Sequence, residues 1–371
     1  MLLFIMQFKA ILFRKILLFL ISDKRFNLIK NIDSKNMPTC TILIPVHNQE
    51  NYIYSHLMAI INLVQNPVEL IIINDASTDR SHENITNFLK SINTDTKHSF
   101  KYFKTRVPVF ETRCDDFGIR ISNSEYVIEI QSDMLMHEKD FEKKLIDLME
   151  KHEELIILSC RGVERLDHLS EKIIMTGREI NDSLLLTIYS KLGLKVLRNI
   201  LTKYLKSSAK SNENRVTSYS PKKIDLAVDK LDTVFTDVNN GVAGWLGEKI
   251  DFLPYVFNQE FQKKLSTYTG VIWKGETVMR GPIIIRKQDY LRLGGLNLLA
   301  FYQGLDDHDL SLRARKVNLK VGFTPIYFSS PSTLGISRNN RKIKDNLWSK
   351  LHRNSRKEHL KLSELYLECN T

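Results

Sequence analysis

The run from Thr39 to Asp75 decides the fold. It opens with "TCTILIPV" (39–46), continues as "NYIYSHLMAIINLVQ" (51–65) and closes with "VELIIIND" (68–75). The outer pieces are short apolar runs rich in β-prone residues, whereas the middle one spaces its apolar residues as a helix does. Strand, helix and strand in that order make a βαβ unit. Strands that lack polar alternation belong to a sheet covered on both faces, so the sheet is expected to be largely parallel.

The same rhythm continues outward. "STDRSHENITNFLKSI" (77–92) reads as a helix with Ser77, Thr78 or Asp79 as its cap, "FKYFKT" (100–105) as a third strand and "ETRCDDFGIRISNS" (111–124) as helical. "YVIEIQSDMLM" (126–136) is a strand that ends in a polar cluster, followed by an amphipathic helix in "FEKKLIDLMEKH" (141–152) and a strand in "LIILSC" (155–160). Residues 39–160 thus predict an open nucleotide-binding-type α/β layer, mostly parallel. Residues 161–270 lose the rhythm and read as an insertion or lid that forms the acceptor region, with one polar loop at 206–223. Order returns over 271–335 with a strand, a glycine turn, an acidic cluster, a helix and a last strand. Residues 336–371 form a basic, helix-prone tail, and no internal repeat is evident.

The chain carries 54 Lys plus Arg against 43 Asp plus Glu in 371 residues, a formal charge of +11 that favours anionic partners. Cys40, Cys114, Cys160 and Cys369 are far apart, so no zinc motif or disulfide framework is suggested and a reducing compartment is expected. Residues 1–38 begin apolar but are interrupted by Lys9, Arg14 and Lys15, which excludes the uninterrupted span of about 20 residues needed to cross a membrane. They read as an imperfect amphipathic helix, either lying on a membrane interface or packed on the domain. The corresponding location is cytoplasmic, peripheral on an acidic membrane surface. The basic tail suggests lipid before nucleic acid, because no helix-turn-helix, zinc-finger or RNP signature accompanies it.

Sheets of this kind bind ligands beyond the carboxyl ends of their strands. Pro45, Asn74 with Asp75, and Asp133 are delivered to such ends. Asp306, Asp307 and Asp309 crowd three like charges into "LDDHDL", which raises the proton affinity of a carboxylate toward that of a base. Asp309 is expected to cap the following helix. His137 and His308 each stand as single histidines near acids, more consistent with hydrogen-bonded residues than with ligands. Trp245, Trp273 and Tyr268 offer flat faces for a sugar ring, with core packing as the plainer role.

Taken in order, "TILIPVHNQENYI", "ELIIINDASTDRS", "RCDDFGIRISNSEYVIEIQSDM" and "GGLNLLAFYQGLDDHDLSLRA" resemble the family 2 inverting glycosyltransferases of the GT-A fold. The resemblance covers residues 39–160 and about 270–330. It implies transfer of a sugar from a nucleoside-diphosphate donor, a UDP-sugar for preference, to a hydroxyl of a glycan, lipid or protein. Carried over residue by residue, it implies that Pro45, His47, Asn48, Glu50 and Ser132 line the nucleotide pocket, with Asp75 on the base and Arg113 near the base or diphosphate. Asp133 and Gln131 would hold Mn or Mg, Asp307 would be the base and Asp306 would hold the acceptor. Three departures stand out: Gln131 occupies the place of the first Asp of Asp-x-Asp, Met134 stands where a further Asp is frequent, and Phe328 and Ser329 stand where a histidine is frequent after the last strand. One carboxylate plus an amide is a thin ligand set, which leaves a non-catalytic nucleotide-sugar-binding protein as the alternative.

Overall fold

The computed structural model describes residues 16, 18–93, 95–161, 163–164, 263, 266–267, 270–271, 277–278, 280–302, 304–329, 351, 354–355 and 358. Twelve strands are described: β1 (Phe26–Ile32), β2 (Cys40–Val46), β3 (Val68–Asn74), β4 (Ser99–Thr105), β5 (Tyr126–Glu129), β6 (Leu135–Met136), β7 (Leu155–Ser159), β8 (Val163–Glu164), β9 (Thr277–Val278), β10 (Ile283–Arg286), β11 (Lys320–Phe323) and β12 (Phe328–Ser329). Helices of six residues or more are α1 (Ile53–Leu63), α2 (Ser81–Ser91), α3 (Glu111–Ile121), α4 (Phe141–Lys151), α5 (Lys287–Arg292) and α6 (Asp306–Arg315). Eight strands form one sheet in the order β1-β4-β3-β2-β5-β10-β7-β11. It is mostly parallel, as expected, with β1 and β10 reversed. Every residue of β2 and β3 is buried, which is why both strands are apolar without alternation.

Two features of the sheet create a site at its carboxyl edge. On β2 the carbonyl of Leu43 accepts the N–H of Ile130 at 2.9 Å, and Pro45, two residues on and facing the same neighbour, has no N–H to offer. The β2–β5 ladder ends there and the strands part. Beside it, β10 runs against β5, pairing Ile283 with Glu129, so the residues just before β10 arrive at the carboxyl end of β5. Helix α3 is pressed onto β2 at Gly118, where an added Cβ would lie 2.3 Å from a Leu43 methyl carbon.

The N-terminal expectation needs correction. Residues 26–32 are not helical; they form β1, the edge strand paired antiparallel with β4, and Leu20 is buried in the core. The sheet therefore begins before Thr39. Residues 1–15 lie outside the described residues, as do Trp245, Trp273, Tyr268 and most of 161–270. The two ends of that stretch are brought together where β8 pairs with β9. In the tail, Leu351 and Ser355 are buried, and Asn354 donates to the Ala300 carbonyl at 3.4 Å, so this part packs on the domain. Among the described residues, no helix is long and apolar enough to cross a membrane.

Candidate active site

The loops after β2 and β3 are stitched together by reciprocal side-chain-to-backbone bonds. The N–H of Asn48 donates to Ser77 Oγ (3.0 Å), and the N–H of Thr78 donates back to Asn48 Oδ1 (2.8 Å). The N–H of Glu50 donates to Asp79 Oδ2 and the N–H of Arg80 to Glu50 Oε2, both at 3.0 Å. His47 Nδ1 lies 2.6 Å from the Asp75 carbonyl. Pro45, His47, Asn48 and Glu50 therefore do meet at one strand end, with Pro45 buried in β2. Asp75 is there too, but its carboxylate is already engaged. Oδ1 accepts from Thr105 Oγ1 (2.9 Å) and the N–H of Val109 (2.7 Å), and Oδ2 from the N–H of Phe110 (2.8 Å). In this arrangement it braces the loop leading into α3, and a nucleotide base would compete with those three bonds.

Arg113 is not with the acids at the strand ends. Two residues beyond Glu111 is about 200° round a helix, and this turns Arg113 away from the Glu111 face. Its guanidinium is buried against the rings of Phe26 and Phe117 and is paired with Asp23 and with Asp116, the latter at 3.3 Å. The cation at the site is Arg280, delivered by the reversed strand β10. Its guanidinium pairs with Asp306 and with Asp115, the latter at 3.1 Å, while its N–H donates to Asp307 Oδ2 at 3.1 Å. Gly281 follows at φ +62°, and an added Cβ there would come within 3.1 Å of Gln131 and 3.0 Å of Met134 Sδ. Base candidate and strand-end turn are thus bridged by two residues.

Around Arg280 stand Glu111 and Asp115 from α3, Glu129 from β5 and Asp306 from α6. The spacing i, i+4 puts the first two on one helix face. Asp115, Glu129 and Asp306 are each about 1% exposed. Burial disfavours their charged forms: the Glu129 carboxyl is pushed up to about 8 and Asp306 to about 7, with Arg280 opposing in both, and Asp115 is raised well above the usual range by the same cause. Neither carboxylate oxygen of Glu129 or Asp115 has a hydrogen-bond partner. Gln131 donates its amide N–H to Glu111, and Asp133, partly exposed in the turn after β5, raises the proton affinity of both Glu111 and Glu129.

A Mn or Mg ion, implied by the resemblance, would find a fitting donor set here. Glu111, Asp115 and Glu129 each bring an oxygen within 4.8 Å of the others, hard ligands of the kind such ions take, and the Glu129 oxygens are unengaged.

Asp306 is buried on Arg280 and so is not turned toward an acceptor as expected, whereas Asp307 is partly exposed, its Oδ1 accepting the N–H of His308 at 3.0 Å. Asp309 does not cap α6. That helix already starts at Asp306 behind left-handed Leu305, and Asp309 instead accepts from Arg313 Nε at 2.8 Å. His137 Nε2 lies 2.8 Å from Ser329 Oγ, its ring is tilted against that of Tyr327 with centroids 4.8 Å apart, and His308 is buried in α6. Ser132 is buried in the turn.

A mostly parallel α/β sheet with an acid-rich site at the carboxyl ends of its strands defines the general class. Residues 41–196 match the family described as Glycosyl transferase family 2. A protein described as an uncharacterized glycosyltransferase from Haemophilus influenzae is 29% identical over 117 residues, which cover 32% of this chain and 45% of that relative. The chain thus spans less than half of the curated relative it matches. Among solved structures, the mannosyltransferase PcManGT from Pyrobaculum calidifontis, in complex with GDP-Man and Mn2+, is 11% identical with a TM-score of 0.44, over 90% of this chain and 73% of that one. TarS of S. aureus in complex with UDP-GlcNAc is also 11% identical with a TM-score of 0.44, over 87% and 66%.

Proposed function

We propose that the chain transfers a sugar from a nucleoside-diphosphate donor, preferably a UDP-sugar, to a hydroxyl of a glycan, lipid or protein, with inversion. The observation that carries this reading is Asp307: partly exposed, held through both oxygens by main-chain N–H groups, and two residues removed from a loop that touches the strand-end Gln131. Asp307 takes the proton of the acceptor hydroxyl as that oxygen forms a bond to the anomeric carbon. The bond from that carbon to the donor phosphate oxygen breaks on the opposite side, and the nucleoside diphosphate leaves with the electron pair. His47, Asn48 and Glu50 form the nucleotide side of the pocket. Glu111, Asp115 and Glu129, together with Asp133 and Gln131 of the turn after β5, would hold Mn or Mg. Bound there, the ion supplies positive charge to the departing diphosphate.

Replacing Asp307 with Asn tests the reading. Turnover of a labelled donor should fall by about 10²- to 10⁴-fold, while the thermal shift produced by nucleoside diphosphates with Mn stays near that of the parent protein. Undiminished turnover would remove Asp307 from the reaction. A donor-induced shift without turnover in the parent protein, over a panel of UDP- and GDP-sugars and acceptors, would favour a binding protein instead.

A further inference from the structure

Resting on that reading, we infer that Arg280 is the positioning residue of the transfer reaction: its main-chain N–H fixes the base Asp307, and its guanidinium ties the neighbouring Asp306 to Asp115 on α3. Three observations converge on it. The N–H of Arg280 reaches Asp307 Oδ2 at 3.1 Å, so the base is oriented by backbone that Gly281 seats between Gln131 and Met134. The guanidinium pairs with Asp306 and Asp115 and lies 3.4 Å from Thr112 Oγ1, and the Thr112 hydroxyl donates to Asp306 Oδ1 at 3.4 Å. Its head is only 14% exposed, and four carboxylates act on it electrostatically. A cation so outnumbered is not needed to complete an ordinary ion pair. Its effect is to keep charge on the residue next to the base.

The groups that face Asp306 set the direction of the test. Glu111 and Asp115 on α3, Glu129 on β5 and Asp307 on α6 all disfavour its charge, with Asp133 beyond them in the turn after β5; Arg280 favours it. Without the guanidinium, Asp306 keeps its proton to higher pH. A neutral Asp306 then lets the first turn of α6, and Asp307 with it, drift from the reacting position, and a displacement of about 1 Å can cost about 100-fold in rate.

The experiment compares the parent chain with Arg280→Lys and Arg280→Gln in two measurements. Donor turnover is followed from pH 5 to 9 with kcat and donor KM separated. Thermal melting is followed over the same range without any donor. For Arg280→Gln the expectation is a kcat lower by about 100-fold at pH 7, an acidic limb moved to higher pH and a donor KM within a few-fold, with Arg280→Lys recovering most of the rate. The sign for stability follows from linkage. Asp306 has a folded value above its unfolded one, so the stability tied to its proton is fully present below about 4 and is lost as pH rises through the folded value. Arg280→Gln lifts that folded value, so its melting temperature should keep falling where the parent and Arg280→Lys level off. An unmoved acidic limb, or a melting difference independent of pH, would reduce Arg280 to a structural residue and overturn the inference. Should the parent chain transfer no sugar at all, the functional reading fails by itself, and the melting curves still decide whether Arg280 governs Asp306.

Discussion

Asp115 and Asp116 are neighbours on α3, equally buried, and they have opposite surroundings. Asp116 is saturated: Oδ2 accepts from Arg113 (3.3 Å) and from Arg120 (2.9 Å), and Oδ1 accepts from the Tyr290 hydroxyl (2.7 Å) and the N–H of Leu296 (3.3 Å). Asp115 has an ion pair to Arg280 and no hydrogen bond on either oxygen. One helix therefore carries a finished polar network on one side and an unfinished one on the other. A buried carboxylate with its bonds completed holds the fold together, while one left short costs stability and persists where a ligand or a reaction can use it. The finished side ties the helix to the segment just before β1 through Arg113 and Asp23, and to α5 and the turn after it through Tyr290 and Leu296. The unfinished side faces Glu129, Arg280 and the strand-end turn.

The contrast is broken most forcefully by Asp116→Ala. It leaves Arg113 buried with only Asp23, whose side chain is mostly exposed, and strips the Tyr290 hydroxyl of its acceptor. The expected loss is about 3–5 kcal/mol, as for breaking a buried pair from one side. Urea unfolding measures it, and donor binding by the fraction still folded should be nearly unchanged. Asp115→Asn should behave differently. Its oxygens accept no hydrogen bond and burial raises its proton affinity, so an amide of the same shape should alter stability by no more than about 1 kcal/mol. Since the parent's stability is lost as pH rises through the raised folded value, the variant should gain on the parent as pH rises. A large loss at pH 7 that does not vary with pH would mean that the two sides of α3 are alike.

How much of this is legible in the sequence follows from the range of each interaction. The βαβ start and the order of strands are local, written in runs such as "VELIIIND", and the structure has them where expected. Asp133 and Asp307 are readable because each sits at the end of an element. Glu129 is also readable in principle, since it is the one carboxylate inside the apolar strand "YVIEI". The pair Glu111 and Asp115 has the spacing of a single helix face. Arg280 is not readable, because it reaches α3 through a reversed strand more than 150 residues further along the chain, a pairing that no local pattern encodes. Arg113 fails for a different reason. It lies in the right helix, but helical phase turns it to the finished side. β1 is obscure because its ladder shifts register between Leu28 and Lys30, so "FNLIKNI" never alternates cleanly.

The smallest effect expected is also the most specific to the unfinished side. Gln131 donates its amide N–H to Glu111 and so helps that carboxylate keep its charge. Gln131→Asp removes the donor and puts a new carboxylate beside Glu111, close to Asp133 and Glu129. Without metal, three or four like charges then crowd one strand end, and a melting temperature lower by a few degrees is expected, about 1 kcal/mol in a domain of this size. With metal, the added hard oxygen completes the pair of carboxylates flanking Ser132, so Mn or Mg should bind more tightly and restore the melting temperature. Asp133→Ala moves metal affinity the opposite way. Titrating Mn against melting temperature in both variants and the parent separates these effects without relying on turnover. If Gln131→Asp melts lower by the same amount with and without Mn, the strand end is not where the ion sits, and the charge that steadies the departing diphosphate must come from side chains such as Arg280.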